Sequence, residues 1–286
     1  MDYVMEVKNL TKSYKGKKVL KNISFGIYEG CITGFIGMNG AGKTTTIKSI
    51  LGLLKPEDGE ITVFGMPMKG HEKAIKDRIG IVYDSGYLYD ELTMGDMKSV
   101  IAPAYSHWDN DVYHEYMRRF GLDEKKRIAD LSRGMRMKYA LILALSHHAD
   151  LLIMDEPTSG LDPVVRKQFL EIMREFVSEE GKSVFFSTHL TTDLDKIADQ
   201  IVMLHKGQIL FDKDKESLIE EHALVKGDKS WLNDENRPWF VALEEKGFHF
   251  EGLTREREKL RVSMKQAVFE RPTIEDIMVA YIEGKV

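Results

Sequence analysis

The sequence predicts an α/β fold built on a mostly parallel sheet. Uninterrupted apolar runs at residues 79–83, 151–154 and 183–187 alternate with helical patterns, which is typical of parallel strands covered by helices on both faces. A further apolar run, residues 31–36, leads into a glycine-rich segment and then into a helical pattern over residues 44–54. A strand, a glycine-rich loop and a helix in this order predict a ligand-binding loop between them.

The glycine-rich segment at residues 37–44 has the form G-x-x-x-x-G-K-[ST], which predicts a nucleoside triphosphate as ligand. Its glycines let successive backbone N–H groups point at phosphate oxygens, and the following helix presents its positive N-terminus. Lys43 would reach the β- and γ-phosphates, and the Thr44 hydroxyl would ligate Mg²⁺. A chance turn before a helix is the alternative, which the agreement of strand, loop and helix disfavours. The residues expected to hold the nucleotide are Gly37, Asn39, Gly40, Ala41, Gly42, Lys43, Thr44 and Thr45.

Composition and charge exclude several other classes of protein. The 286 residues suffice for one large domain and a smaller appendage. The net charge of −5, without a dominant basic run, gives no reason to expect nucleic acid as a partner. Cys31 is the single cysteine, so no internal disulfide is possible and a reducing compartment is expected. Without a signal-peptide pattern or an apolar run of roughly 20 residues, we expect a cytosolic chain.

Two carboxylates and a histidine follow predicted buried strands. Asp155 and Glu156 come directly after the run at 151–154, and carboxylates at the C-terminal end of a parallel strand lie where such sheets bind ligands. His189 comes shortly after the run at 183–187. A lone histidine is usually structural, but one at a strand end near a phosphate loop is a better candidate for a functional site.

Two other residues allow both a structural and a functional interpretation. Ser132 precedes a long apolar helix and would serve as its N-cap. Tyr14 lies upstream of the phosphate loop, where it would either stack on an adenine ring or simply stand at a strand edge.

The rest of the chain divides into a helical region and a more highly charged C-terminal region. Residues 93–120 are expected to form helices, and the aromatic residues there are interpreted as packing rather than as a cofactor site. Beyond about residue 215 the charge density rises. The elements predicted there are a strand at 223–226, a helix ending at Lys246, strands around Phe248 and Leu260, a solvated hairpin tip at 254–258, and a closing helix with a capping box of Thr273 and Asp276.

The order of these motifs resembles the nucleotide-binding subunits of ATP-binding cassette (ABC) transporters, over roughly residues 3–215. Residues 37–44 are similar to the Walker A motif of that family and residues 151–155 to its Walker B motif. The resemblance implies a P-loop NTPase (RecA-like) sheet core with an N-terminal antiparallel β subdomain and a helical signature subdomain at about 87–147. It implies an ABC ATPase domain over residues 1–215 and a small α+β extension over residues 216–286, which would contact a second subunit, regulate it or pack on the core.

The resemblance also implies the chemistry of the site. Asp155 would hold Mg²⁺ through water, and Glu156 would be the catalytic base that orients the attacking water. His189 matches the switch histidine that contacts the γ-phosphate, and Lys43 would neutralise charge in the transition state together with Mg²⁺. Tyr14 falls on the aromatic residue that stacks on adenine.

The signature motif, residues 131–135, is implied to act across a head-to-tail dimer. Ser132 and Gly134 would face the γ-phosphate bound by a second nucleotide-binding subunit, and residues 159–162, which end at Asp162, match the D-loop of the family. Arg133 and Met135 depart from the usual Leu-Ser-Gly-Gly-Gln. Because Gly134 is kept where the backbone approaches phosphate, we expect a working site, with Arg133 adding positive charge near the nucleotide.

Asp84 stands where the family has the glutamine of the Q-loop. Aspartate is a good oxygen ligand for Mg²⁺ but is shorter than glutamine and charged. It would ligate Mg²⁺ directly, ligate it through water, or only cap the following turn.

The resemblance implies an ATPase that uses ATP and Mg²⁺ to power a separate transmembrane permease from the cytoplasmic face of the membrane. It would pair with a second nucleotide-binding subunit, the same chain or another. Residues 144–147 and 271–277 are similar to ABC-2-type exporters of Gram-positive bacteria, which export antibiotics or antimicrobial and toxic peptides. The alternatives are a soluble ABC ATPase acting on ribosomes or DNA, and a regulator with little hydrolysis. The chain has no second cassette, long coiled-coil insertion or basic patch, which disfavours the first; Glu156 and His189 disfavour the second.

Overall fold

The computed structural model describes residues 2–83 and 88–284. Its strands are β1 (Tyr3–Tyr14), β2 (Lys17–Tyr28), β3 (Ile32–Ile36), β4 (Asp58–Val63), β5 (Met66–Pro67), β6 (Ile79–Tyr83), β7 (Leu151–Asp155), β8 (Ser183–Thr188), β9 (Gln200–His205), β10 (Gln208–Asp214), β11 (Ala223–Asp228), β12 (Phe240–Lys246), β13 (His249–Thr254) and β14 (Val268–Glu270). Its α-helices are α1 (Lys43–Ile50), α2 (Glu72–Lys76), α3 (Met94–Ile101), α4 (Asn110–Phe120), α5 (Arg133–Leu145), α6 (Pro163–Val177), α7 (Thr191–Ile197), α8 (Lys215–Glu220), α9 (Arg257–Ser263) and α10 (Ile274–Glu283). None of these helices combines the length and the apolar character that crossing a membrane requires. Asp84 lies outside the described residues.

A six-stranded sheet in the order β10-β9-β3-β8-β7-β6 forms the centre of the fold. β9, β3, β8, β7 and β6 run parallel, and β10 pairs antiparallel with β9. Every residue of β3, β7 and β8 is buried, as expected for strands covered on both faces. The predicted mostly parallel α/β core is confirmed.

The two faces of the central sheet are covered in different ways. Helices α5, α6 and α7 pack on one face, where Leu141, Phe169 and Leu194 belong to a single apolar cluster. Helix α1 and a second, antiparallel sheet in the order β2-β1-β4-β5 cover the other face. Phe25 of the antiparallel sheet stacks on Phe35 of β3, with ring centroids 5.4 Å apart. The antiparallel sheet is the N-terminal β subdomain that the resemblance implied.

Helices α3, α4 and α5 pack around a third apolar cluster. Tyr113 and Tyr139 are fully buried in it, and the Tyr139 hydroxyl donates a hydrogen bond to the Met94 carbonyl oxygen. Tyr113 therefore packs in the apolar cluster of these helices, as predicted for the aromatic residues of this region.

The C-terminal residues form a third sheet, in the order β12-β13-β11-β14, where several sequence expectations are wrong. The helix expected up to Lys246 is strand β12, because its pairing with β13 outweighs the helix propensity of its Ala, Leu and Glu residues. The strand expected around Leu260 is helix α9, which buries Leu260 against the third sheet. The expected hairpin tip at 254–258 is the buried end of β13 followed by the start of α9.

The closing helix α10 begins with the predicted capping box and attaches the C-terminal residues to the core. The Thr273 hydroxyl accepts a hydrogen bond from the Asp276 amide at 3.1 Å, and the Asp276 carboxylate accepts one from the Thr273 amide at 2.8 Å. Ile274 and Ile277 belong to the same apolar cluster as α5, α6 and α7. The C-terminal sheet is thereby joined to the central one through a shared core.

Candidate nucleotide-binding site

A cleft of about 420 Å³ opens at the carboxyl edge of the central sheet, where β3, β7 and β8 end. It brings together residues that are far apart in the sequence but follow neighbouring strands. The predicted site residues that line it are Tyr14, Asn39, Gly40, Gly42, Lys43, Thr44, Thr45, Glu156 and His189. Val19, Met38 and Ser159 also line it and were not predicted from the sequence.

The glycine-rich loop after β3 has the conformation that a phosphate loop requires. Gly42 has φ 117°, in the left-handed region that favours glycine. A Cβ atom at Gly37 would lie 2.3 Å from the Leu204 carbonyl oxygen, so this position admits no side chain. Lys43 begins helix α1, and the free N–H groups of the first helical turn open towards the cleft. Gly37 and Ala41 are buried parts of the loop and do not line the cleft.

Lys43, Glu156 and His189 form a contiguous set of charged and polar groups in the cleft. The Glu156 carboxylate lies 3.1 Å from Lys43 Nζ through one oxygen and 2.7 Å from His189 Nδ1 through the other. Lys43 Nζ also donates a hydrogen bond to the Gly37 carbonyl oxygen at 2.6 Å. The Lys43 and Glu156 side chains are only 7% and 18% exposed, so the pair is poorly screened by solvent. These contacts hold the Lys43 ammonium, the Glu156 carboxylate and the His189 imidazole next to one another in the cleft.

Glu156 has a strained backbone that neighbouring groups hold in place. Its φ is 50°, a left-handed value uncommon for a residue other than glycine and typical of functional sites. Its amide donates to the Ser187 hydroxyl at 3.0 Å, and that hydroxyl donates to the Asp155 carboxylate at 2.5 Å. Ser187 therefore connects both acidic residues to β8. Sequence reasoning missed Ser187, although a hydroxyl near the end of a buried strand was a usable signal.

The oxygen donors around Asp155 suit a magnesium ion shared with a phosphate. Asp155 is buried at the end of β7, and the Thr44 hydroxyl lies at the start of α1 beside the cleft. Tyr83 stands next to Asp155 in the sheet, and burial, with a smaller effect of the Asp155 charge, raises the pKa of Tyr83 above its ordinary value. No cluster of three or more His, Cys, Asp or Glu residues suited to a metal occurs in ranges 2–83 and 88–284. Mg²⁺ is held by such sparse protein donors when phosphate oxygens and water complete its shell.

The signature residues lie outside the cleft of their own chain. Ser132 is exposed and caps α5, accepting a hydrogen bond from the Met135 amide at 3.3 Å, which confirms its structural interpretation. A Cβ atom at Gly134 would lie 3.5 Å from Val165 Cγ1, so the start of α5 lies beside the first turn of α6. The Arg133 guanidinium lies against Gly160, where an added Cβ atom would be 3.0 Å from its nitrogen. Arg133 thus contacts the D-loop of its own chain.

Of the two remaining predicted residues, Asp162 does not line the cleft and Tyr14 does. The Asp162 carboxylate caps α6, accepting hydrogen bonds from the Val164 and Val165 amides at 3.0 Å. Tyr14 ends β1 and lines the cleft with 42% of its surface exposed. An exposed aromatic ring at the mouth of a phosphate site is available for stacking on a base.

A phosphate loop feeding a helix, with a carboxylate pair and a histidine at neighbouring strand ends, defines a P-loop nucleoside triphosphatase. Residues 20–159 match the sequence model of the ABC transporter family. The bacitracin transport ATP-binding protein BcrA of Bacillus licheniformis is 32% identical over 212 residues, which cover 73% of this chain and 69% of BcrA. The chain therefore belongs to the ABC transporter family and is an ATPase subunit of a transporter.

Solved structures of the family agree with the fold. The ATP-binding subunit of an ABC transporter superposes with a TM-score of 0.70 at 29% identity, covering 76% of this chain and 92% of that one. CbiO1 of Clostridium perfringens, part of the CbiONQ transporter complex, superposes with a TM-score of 0.66 at 25% identity, covering 77% and 92%. The predicted family and P-loop NTPase fold are confirmed, while the roles of single residues stay predictions.

Proposed function

We propose that this ATPase hydrolyses ATP in the cleft with Glu156 as base, His189 as the group that contacts the γ-phosphate, and Lys43 as the phosphate-binding cation. The observation that supports this most directly is the Glu156 carboxylate lying between Lys43 and His189, at 3.1 Å and 2.7 Å. ATP entering the loop would draw Lys43 onto its phosphates and free one carboxylate oxygen to orient water. His189 would keep the other oxygen in place. General base catalysis of this kind contributes about 10²- to 10⁴-fold to the rate.

We infer that Mg²⁺ accompanies the nucleotide, with the Thr44 hydroxyl and Asp155 as its protein donors. Asp155 Oδ1 already accepts a hydrogen bond from Ser187 at 2.5 Å, which orients the carboxylate. When bound, the ion would neutralise charge on the transferred phosphoryl group. Asp84 remains a further candidate for this site.

The active form that we propose is a head-to-tail dimer. Ser132 and Gly134 belong to the start of α5 but do not line the cleft of their own chain, so a signature contact with nucleotide requires a second subunit. The exposed N-terminus of α5 is suited to a γ-phosphate approaching from outside. Asp162 would lie at the same interface, at the N-terminus of α6. Whether the second subunit is an identical chain is part of the test below.

We further propose that the dimer powers a separate membrane permease from the cytoplasmic face and that the cargo is an antibiotic or antimicrobial peptide. The similarity to BcrA, a bacitracin transport ATP-binding protein, supports this cargo class. In this proposal residues 1–215 form the ATPase domain, the helices at 87–147 carry the signature, and residues 216–286 form an extension.

The experiment uses the Glu156→Gln chain, tagged, expressed in its native host and supplied with ATP and Mg²⁺. Because this variant keeps nucleotide but lacks the base, it should hold the closed dimer. Membranes are solubilised in detergent and the proteins that accompany the tag are identified, with Lys43→Met as the matched variant that cannot hold ATP. A multi-span membrane protein recovered in near-equal amount supports the proposal, and the presence or absence of a second ATPase defines the pairing. Recovery only from the soluble fraction with ribosomes or DNA would refute it.

A further inference from the structure

A fully buried carboxylate contacts the turn that follows Glu156 and takes no direct part in the proposed chemistry. Asp193 has 0% of its surface exposed. Its Oδ2 accepts a hydrogen bond from the Thr158 hydroxyl at 2.6 Å, and its Oδ1 accepts one from Arg166 Nε at 2.7 Å. Thr158 is itself only 1% exposed. Two short hydrogen bonds, one of them to a cation, therefore satisfy both oxygens of this carboxylate.

The three residues join the turn after Glu156, the helix that follows His189, and helix α6. Thr158 follows Glu156 by two residues, in the turn that leads to Asp162 and helix α6. Asp193 follows His189 by four residues and lies in the first turn of α7. Arg166 extends from α6 and also donates to the Thr192 hydroxyl at 2.5 Å. The contacts of Asp193 thus join the Glu156 turn to the helix that follows His189.

Burial makes this connection rigid. A carboxylate removed from water is tolerated only when charged or polar partners hold it, and removing a partner leaves an uncompensated charge. The carboxylate therefore cannot leave Thr158 and Arg166 without a large loss of stability. The turn it holds begins at Glu156, whose left-handed backbone at φ 50° persists only if surrounding contacts determine it.

We propose that Asp193 is a positioning residue for ATP hydrolysis. It keeps the turn after Glu156 and the helix after His189 in a fixed relative position. It acts through Thr158 and touches neither nucleotide nor water. The contact it maintains is the one between the Glu156 carboxylate and His189 Nδ1, at 2.7 Å. This inference rests on the proposed roles of Glu156 and His189.

The test removes the hydroxyl and leaves the buried ion pair in place. Thr158→Val keeps the shape of the side chain and the Asp193–Arg166 contact, so the chain should fold. Thr158→Ser restores the hydroxyl. The matched control is Thr33→Val, because Thr33 is also 0% exposed and donates one buried hydrogen bond, to Gln200 Oε1 at 2.8 Å, but lies in β3 away from the Glu156 turn. For each chain, kcat and KM for ATP, nucleotide affinity and melting temperature are measured, with Glu156→Gln assayed in parallel.

We expect Thr158→Val to lower kcat about tenfold, since small displacements of catalytic groups cost this much or more. KM and nucleotide affinity should stay within about twofold, because the phosphate loop is untouched. Thr158→Ser should recover most of the rate, and Thr33→Val should lower the melting temperature without lowering kcat.

Two results would overturn the inference, and they differ. A wild-type kcat for Thr158→Val beside an inactive Glu156→Gln chain would refute the positioning role alone. A Glu156→Gln chain that hydrolyses ATP at the wild-type rate would refute the base assignment, and the positioning role would fail with it.

Discussion

The stability of the folded chain should depend on pH through one buried histidine, His147. Its side chain is 1% exposed and stacks on Tyr105 with ring centroids 3.7 Å apart and planes inclined by 13°. Among the described residues, neither of its ring nitrogens makes a hydrogen bond of normal geometry, and a weaker interaction with the Asp77 backbone only partly offsets the effect of burial on its pKa. Burial lowers the pKa of His147 from 6.5 to about 4. The ring is therefore neutral in the folded protein throughout the physiological range.

The sign and size of the effect follow from this lowered pKa. Below pH 6.5 the unfolded chain binds a proton at His147, whereas the folded chain binds it only when the pH approaches 4. The unfolding free energy therefore falls as the pH is lowered through this window. Each pKa unit corresponds to about 1.4 kcal/mol, so the full loss is about 3 kcal/mol. Above pH 6.5 the contribution is constant.

Denaturant unfolding of the wild type and of His147→Phe, from pH 8 to pH 4, measures this term. Phenylalanine keeps the ring stacked on Tyr105, loses no hydrogen bond of normal geometry among the described residues, and does not titrate. Carboxylates other than Asp77, whose pKa is lowered in small part by His147, titrate alike in both chains, so the difference between the two unfolding free energies reports mainly on His147. It should shift by about 3 kcal/mol in favour of the variant as the pH falls from 6.5 to 4. Parallel curves would refute the assignment of a buried neutral ring.

Two further predictions concern the nucleotide cleft. Tyr14→Ala should raise KM for ATP roughly tenfold with little change in kcat, because base stacking on an aromatic ring is worth about 1–3 kcal/mol. Tyr14→Trp should retain the wild-type KM. An unchanged KM in the alanine variant would exclude stacking. Gly42→Ala should abolish binding of a fluorescent ATP analogue, because φ at Gly42 is 117° and the added Cβ would lie 2.8 Å from Leu20 Cδ2. Gly70→Ala controls for backbone strain alone, since φ at Gly70 is 92° and the space around it is open. Equal binding by both variants would contradict the expectation.

The phosphate loop and the acidic strand end were predictable because local sequence determines them. Gly42 is required by a local backbone angle, and Lys43 begins the helix that the pattern indicated. Asp155 ends a buried strand whose apolar character is continuous in the sequence, and Glu156 follows it directly. Motifs of this kind can be recognised in the sequence without knowing which strands become neighbours in the sheet.

What escaped prediction depends on contacts between distant segments. Ser187 and Asp193 are ordinary polar residues in the sequence, and their importance becomes visible only when β8 and α7 lie beside the turn after β7. The Ala, Leu and Glu residues of β12 favour a helix locally, whereas its pairing with β13 makes it a strand. The contact of Arg133 with Gly160 of its own chain likewise joins segments that are distant in the sequence.

The most direct test of the whole account is the rate of ATP hydrolysis by Glu156→Gln beside its nucleotide affinity. We use Glu171→Gln as the matched control, since Glu171 is half-exposed on α6 and pairs only loosely with Lys167 at 3.6 Å. We expect Glu156→Gln to bind ATP at least as well as the wild type but to hydrolyse it at least about 10²-fold more slowly, while Glu171→Gln should be unchanged. A Glu156→Gln chain with a turnover within twofold of the wild type would contradict the central claim that this carboxylate is the base.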